Sequence, residues 1–479
     1  MLNIKKITLV ITFFCIVSFL FSQNYDIRVK INGIKDTVIY LGHHFGEKKF
    51  AVDTAQIDNK GNAVFQKDKE LNRGVYMIFT PTSKGMNYFE LIISEKYPKF
   101  SIETDTTDYI KYMKIKGSSE NVVFYEYQRK IQELWKIRKA IENEYELTLK
   151  NNEDISEIKN KYKSVIDEGE QYMYGLVSKY PDYFLSKYIK SMLEVKIPEA
   201  PTDENENIID PAFNYLYLKK HYWDNIDLSE NGLLRTPIYE SKLNYFFSKL
   251  VVPLPDSLIY DCHNLIQKVY DAGDTLMFQY TCSHLFSMFD TSKIMGYDAV
   301  FVSIAEDWYL SGKATWIDTT LFKKIAERVD KITPTRIGNI CYNLEKMQSF
   351  DDKYYSLHNL KADYIILAFY EPSCGYCKKE IPKLIKEYND TLKNMGVKVF
   401  AIYTQYDKDE WLKFINDKGM NIEGWYNVWD GPYPHSKFRD FYDLYSTPLF
   451  YILDKEKKII AKRIGIEDFK NFILNYEKR

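Results

Sequence analysis

Between residues 24 and 118, apolar side chains come in short β-prone runs: TVIYL (37–41), VYMIFTP (75–81), FELIIS (89–94) and KFSIETD (99–105). Turn residues such as Asp58-Asn59-Lys60-Gly61 and Ser83-Lys84-Gly85 separate them. Runs of this length, bounded by Gly, Asn, Asp and Ser, predict strands joined by tight turns. They predict an antiparallel β-domain, sandwich or barrel, over 23–118. From 119 to 335 the period changes. Phe124, Tyr127, Ile131, Leu134 and Ile141 recur at helical spacing with charged residues between them, which marks an amphipathic helix. The pattern continues through LNYFFSKLVV, DSLIYDCHNLIQKVYDAG and TTLFKKIAERVDKI, interrupted near 197–211 and 253–256. This stretch reads as a central all-α domain.

The last segment, 336–479, alternates. KADYIILAFY (361–370) is a continuous apolar strand, followed by a helix from Cys374 to about Leu392 and the strand VKVFAIYT (397–404). Then come a helix over 409–419, a short segment near Trp425 to Trp429, and a helix over 436–445. Strands over 448–454 and 457–465 form a hairpin around Asp454-Lys455-Glu456-Lys457, and a helix over 466–477 closes the chain. Strands alternating with helices predict an α/β sheet covered on both faces.

The first residues bear on compartment. Lys5 and Lys6 precede an uncharged apolar run from Ile7 to Phe21, then Ser22 and Gln23. This is the layout of a secretory signal, expected to span 1–22. Large aromatics before Cys15 argue against its lipidation. With 65 basic and 67 acidic residues and a net charge of −2, no basic excess exists to neutralise phosphates, so nucleic acid is not an expected partner. A mature chain keeps Cys262, Cys282, Cys341, Cys374 and Cys377, a sparse and odd set that does not suggest a disulfide scaffold. Cys262, Cys282 and Cys341 are expected to be buried small hydrophobes, with a Cys262–Cys282 bridge as the competing reading. His43-His44 is expected to be an exposed polar pair.

The chemistry concentrates in YEPSCGYCKKEIPKL (370–384). Cys374 follows a buried strand and opens a helix, where unpaired backbone N–H groups and the positive end of the helix dipole stabilise a thiolate. Cys377 lies one turn behind, placed to attack a mixed disulfide on Cys374. Cys374 is thus the expected attacking residue and Cys377 the resolving one. Glu380, on the same helix face, is a candidate acid or base, with a solvated carboxylate as the alternative, and Pro382 is expected to kink the helix. Ser446-Thr447-Pro448 stands before an apolar strand; an X-Pro bond there can be cis and present the Thr447 backbone to an extended substrate. Thr447 and Pro448, with Gly375 and Tyr376 between the cysteines, are the expected substrate contacts. A zinc site would have to draw on Cys341 and His358, with no second CxxC. A peroxidatic cysteine would need basic partners that Glu371, Pro372 and Ser373 do not supply.

The segment AFYEPSCGYCKKEIP, with the later STPLFYILD, resembles the thioredoxin-like disulfide oxidoreductases of the TlpA/ResA type over roughly 336–479. The resemblance implies a thioredoxin fold, with Cys374 as nucleophile, Cys377 as resolving thiol, Pro448 as cis-proline and Glu380 as active-site glutamate. The buried Asp of thioredoxin itself falls at Ala368, so proton handling must differ. Gly375-Tyr376 replaces Gly-Pro and leaves the direction of electron flow open. The upstream regions resemble accessory parts of large exported thioredoxin-family proteins of Gram-negative bacteria.

The expectation is an exported, periplasmic thiol-disulfide oxidoreductase acting as a reductant, with membrane association left open. It needs no cofactor and no metal. Its expected partners are disulfide- or thiol-containing exported proteins, apocytochromes c among the candidates, and a membrane thiol-electron carrier. Two other readings stand beside it: a disulfide oxidase or isomerase, and a binding or scaffold protein with an accessory thioredoxin-like domain.

Overall fold

The computed structural model describes residues 24–83, 85–151, 154–431 and 435–476. The expected leader, Cys15 and the turn residue Lys84 lie outside them. The chain divides into two compact units, one ending at 251 and taking in 272–277, the other made of 252–271 and everything from 278 onward.

In the first unit the expected runs form β1 (Tyr25–Asn32), β2 (Thr37–Phe45), β3 (Lys48–Ile57), β4 (Asn62–Lys67), β5 (Gly74–Thr82), β6 (Gly85–Ile93), β7 (Lys99–Asp105) and β8 (Lys114–Lys116). They make two four-stranded sheets, ordered β4-β1-β7-β8 and β3-β2-β5-β6. Period-two burial drives this: Tyr25, Ile27, Val29 and Ile31 of β1 all turn inward. Asp58 stabilises the predicted turn, its Oδ1 accepting from the amides of Lys60 and Asn62 at 2.8 Å each.

One expectation needs correcting. The β-domain is not wholly antiparallel, because β1 and β7 pair in parallel. A parallel pair needs a long crossover, and the other sheet supplies it between these two strands. His43-His44 is also half-buried rather than exposed, since β2 lies between β3 and β5. The His43 ring packs edge-on to Tyr76, 5.1 Å between centroids.

Helices α1 (Ser119–Lys150), α2 (Ser156–Lys179), α3 (Phe184–Met192), α4 (Phe213–His221) and α5 (Ile238–Tyr245) complete this unit. Helix α1 buries Phe124, Tyr127, Leu134 and Ile141 as its spacing predicts. Asn121, in its first turn, accepts from the Ile92 amide and donates to the Ile92 carbonyl, both at 2.7 Å. That amide side chain satisfies backbone groups at the end of β6 that would otherwise be buried unpaired.

The second unit contains α6 (Pro255–Asp271), most of α7 (Thr275–Asp290), α8 (Tyr297–Ile304) and α9 (Thr319–Ile332). The helices of 119–335 therefore do not gather into a unit of their own. Cys262 on α6 and Cys282 on α7 are free, fully buried thiols, so the bridge between them is not formed. Burial raises both, Cys282 to about 12.

The rest of this unit is a seven-stranded sheet ordered β10-β9-β13-β12-β11-β14-β15. Its strands are β9 (Met347–Ser349), β10 (Tyr354–Tyr355), β11 (Tyr364–Tyr370), β12 (Val397–Tyr403), β13 (Trp425–Trp429), β14 (Leu449–Asp454) and β15 (Ile459–Lys462). Strand β11 pairs in parallel with β12 and antiparallel with β14. Helices α10 (Gly375–Asp390), α11 (Lys408–Lys418) and α12 (Phe438–Phe441) lie between these strands in sequence, and α13 (Phe469–Tyr476) follows them.

The side chains of β11 alternate between two cores. Ile366, Ala368 and Tyr370 join Cys377, Ile381, Trp411 and Phe469. Ile365, Leu367 and Phe369 join Cys341, Leu357, Phe438 and Tyr442. Helix α10 runs through Pro382 unbroken. The helix expected over 436–445 shrinks to four residues because Lys437 and Asp443, at φ +49° and +44°, leave helical geometry on either side. Strand β15 is trimmed likewise by Lys457 and Arg463, at φ +67° and +58°.

Replacing Asn121 with Ala should leave the Ile92 amide and carbonyl unpaired and cost about 2–4 kcal/mol. Urea unfolding of the full chain measures this, and an unchanged midpoint for the transition of the first unit would refute it.

Candidate active site

All seven residues of β11 are buried, and the chain leaves the sheet through Glu371, Pro372 and Ser373. Cys374 then takes the N-cap of α10 in extended geometry, φ −72° and ψ 123°, and its Sγ accepts from the Cys377 amide at 3.4 Å. The same sulfur lies 3.2 Å from the Thr447 carbonyl, to which the neutral thiol donates. The Thr447–Pro448 peptide is cis. The loop before β14 thus meets the start of α10 at the carboxyl end of β11, an interior strand, where open α/β sheets carry their sites.

The two thiols differ sharply. Burial pushes Cys374 up, but hydrogen bonds from the Cys377 backbone and side chain, the Thr447 side chain and the Tyr376 backbone outweigh it and leave Cys374 below the usual thiol range. Cys377 is fully buried. Burial pushes its thiol up to about 12, against hydrogen bonds from the Glu371 backbone and the Thr447 side chain. An accessible, acidic thiol therefore sits above a buried, neutral one, the asymmetry that a two-step exchange requires.

A groove of about 540 Å³ adjoins the thiols, lined by Tyr376, Glu380, Tyr445, Thr447, Pro448 and Phe450 among others. Of the residues singled out from sequence, Tyr376, Glu380, Thr447 and Pro448 meet there. Gly375 is exposed, and a Cβ on it would touch nothing within 4 Å, so packing does not demand glycine. Glu380 accepts from Lys383 at 2.7 Å, whereas the hydrogen bonds of the sulfurs run to Thr447, to Glu371 and to each other. A larger cavity of about 680 Å³, lined by Lys361, Lys398, Lys455 and Lys457, opens near the starts of β11 and β12 and holds no thiol.

Sequence reading passed over Glu371. Its Oε1 accepts from the Thr447 hydroxyl at 2.7 Å, and its Oε2 accepts from Gln405 Nε2. The signal was a lone carboxylate closing an otherwise apolar strand. A second omission lies in the loop leading to Thr447. Asp443 is buried and accepts from Arg328 Nη1 on α9 at 2.7 Å and from Arg463 Nη2 at 2.6 Å. The Arg328 guanidinium also stands 5.0 Å from the centre of the Tyr445 ring, a cation–π contact. Helix α9 thereby holds one wall of the groove.

Other combinations fail on geometry. Cys341 and His358 do meet, Sγ to Nε2 at 3.6 Å, but Cys341 belongs to the core on the opposite face of the sheet from Cys377. Among the described residues no three His, Cys, Asp or Glu side chains cluster as metal ligands. His263 approaches Ser303 at 2.8 Å, yet its Nδ1 accepts from Trp308 Nε1 at 2.9 Å. A neutral ring then carries its proton on Nε2 and cannot accept from Ser303.

Comparison with known proteins agrees with this fold. Residues 337–462 match the AhpC/TSA family, 25–124 the domain of unknown function DUF4369, and 147–333 the domain of unknown function DUF5106. A solved domain of a possible thiol-disulfide isomerase from Cytophaga hutchinsonii is 39% identical over 30% of this chain and 95% of its own, with TM-score 0.28. A thioredoxin-like protein from Bacteroides caccae is 20% identical over 60% of this chain and 99% of its own, with TM-score 0.45. A thiol:disulfide interchange protein from Bacteroides sp. is 21% identical over 30% of this chain and 93% of its own, with TM-score 0.27. No curated protein matches. Through its last third the chain belongs to the thioredoxin-like family of thiol-disulfide oxidoreductases.

Two outcomes follow from the geometry. Iodoacetamide should label Cys374 alone between about pH 6 and 9, with a midpoint below that of a free thiol; equal labelling of Cys377, read by peptide mass, would contradict its burial. Arg328→Ala should leave Asp443 with Arg463 as its hydrogen-bonded cation among the described residues and destabilise the loop by about 2 kcal/mol or more. Amide exchange across 443–447 should then accelerate, and unchanged exchange would show the clamp idle.

Proposed function

We propose that this chain is an exported thiol-disulfide oxidoreductase that reduces disulfides in other exported proteins through Cys374 and Cys377. The observation that carries the reading is the placement of the Cys374 sulfur. It stands at the N-terminus of α10, acidified by the Cys377 amide and bordering the groove, with the Cys377 thiol buried one turn behind. Cys374 attacks a substrate disulfide, Cys377 resolves the mixed disulfide, and the substrate leaves reduced. An extended substrate segment docks along Thr447 and Pro448, with Tyr376 and Gly375 facing it and Glu380 on the groove wall.

Export rests on the signal pattern of residues 1–22; among the described residues no helix is long and apolar enough to cross a membrane. In a periplasmic setting the oxidised pair is recharged by a membrane thiol-electron carrier. Apocytochromes c are one substrate class that would need such a reductant.

Insulin disulfide reduction by the wild type should fall to background in Cys374→Ser, and equal rates would defeat the enzyme reading in favour of a scaffold. The reduction potential of the pair, read by alkylation mass shift in graded thiol buffers, should lie near or below about −250 mV. A value near about −120 mV would mark an oxidant instead.

A further inference from the structure

The end of the sheet away from the thiols carries a cavity built largely from cations. It has a volume of about 680 Å³ and lies at the amino ends of β11 and β12, one strand length or about 20 Å from Cys374. Lys361 precedes β11, Lys398 is the second residue of β12, and Lys455 and Lys457 belong to the hairpin between β14 and β15. Asp363 is the one acid on the wall, and His358 is turned to the Cys341 carbonyl, to which its Nε2 donates at 2.9 Å. Four ammonium groups less one carboxylate leave +3, counting the imidazole as neutral. Among the described residues, no carboxylate pairs with any of these lysines within 4.0 Å.

Lys457 sets this wall apart from a solvated basic face, on which every ammonium group would reach water. It is 7% exposed, and its Nζ makes its one hydrogen bond among the described residues to the Lys455 carbonyl, at 3.1 Å. Removing an ammonium from water is costly unless an opposite charge comes with it. The backbone adds to that cost, because Lys457 sits at φ +67° at the end of a hairpin turn, a conformation that favours glycine. The chain therefore holds a cation under cover, in strained geometry, against a single neutral acceptor. Across the cavity Gly396, at φ +71°, lets the two strand starts close up, since a Cβ there would meet Asp363 Oδ2 at 2.1 Å. Lys398 is half-buried, its ammonium 6.0 Å from the centre of the Tyr426 ring.

We propose that this cavity is an anion site that takes a phosphate group. The burial of Lys457 without a counter-ion says that the missing charge is negative, and the donors say which anion. Ammonium groups are point charges with three rotatable donors, suited to the several oxygens of a phosphate, whereas planar carboxylates are matched by arginine. No arginine is among the lining residues. A phosphate with two or more charges also offsets an excess of +3 better than a single carboxylate does. Lys457 meets the anion from the buried side, while Lys361, Lys398 and Lys455 meet it from three other points on the wall. Thiol exchange takes place at the opposite end of β11, so the proposal stands apart from the oxidoreductase reading.

The test is calorimetric titration of the full chain with inorganic pyrophosphate at fixed ionic strength, with chloride as the control anion. The wild type should bind saturably, and the affinity should fall as salt is raised. Lys457→Met keeps the stem and removes the charge, and should weaken binding about 10-fold or more, the worth of one charge-assisted hydrogen bond. Lys413→Met, at an exposed lysine of α11 outside the cavity, should leave binding unchanged. Lys398→Gln and Lys455→Gln carry the same expectation as Lys457→Met, and decide the matter if that variant does not fold. No saturable binding by the wild type overturns the inference. So does equal binding by the wild type and the cavity variants, or an equal loss in Lys413→Met, which would mark attraction to net charge alone. Phosphatidic acid in phosphatidylcholine vesicles separates the sources of the phosphate. Sedimentation of the wild type in excess of Lys457→Met, reversed by pyrophosphate, assigns a lipid headgroup; pyrophosphate binding without that excess assigns a soluble phosphate.

Discussion

Strand β11 is buried at every position and hydrogen-bonded along both edges, so it can present chemistry only where it ends. Its last residue, Tyr370, is locked under Trp411 by a 2.8 Å hydrogen bond, and the chain must then turn into α10. That turn sets Cys374 at a helix N-cap, beside amides that have no partner within the helix. Residues on either side inherit their roles from this constraint. Cys377 points back into the core that β11 built, and Glu371 is left at the carboxyl end of the sheet.

The site is organised by differences in solvation. Cys374 is partly exposed with donors aimed at it and Cys377 has no exposure, so hydrogen bonds lower the first thiol while burial raises the second. Thr447 joins the Cys374 sulfur, through its carbonyl, to the Glu371 carboxylate, through its hydroxyl. The Thr447 carbonyl thus meets the nucleophile while its hydroxyl donates to Glu371, so a loop distant in sequence has to be held firmly.

The holding comes partly from outside the strand–helix alternation. Asp443 takes one arginine from α9 and one from the segment after β15, and Lys462 of β15 pairs with Asp298 of α8 and donates to Thr335. Buried ion pairs of this kind contribute modest stability but impose a single arrangement. The helices before the sheet thus help to shape the groove beside the thiols.

Much of this was legible in the chain. The alternation of strands and helices, the helical stripe of Phe124, Tyr127, Leu134 and Ile141, and the two cysteines at a strand-to-helix junction follow from local periodicity, because burial of one face repeats every two or 3.6 residues. The parallel pairing of β1 with β7, the truncation of the helix at 438–441 and the division of the helices between two units have no such periodic mark. Glu371 and Thr447 are 76 positions apart and Arg328 and Asp443 are 115 apart. The sequence by itself determined which segments form strands and helices and where the thiols stand. The tertiary structure alone decided which carboxylate holds the Thr447 loop beside them, because a hydrogen bond between distant residues depends on how the whole sheet packs rather than on any pattern along the chain.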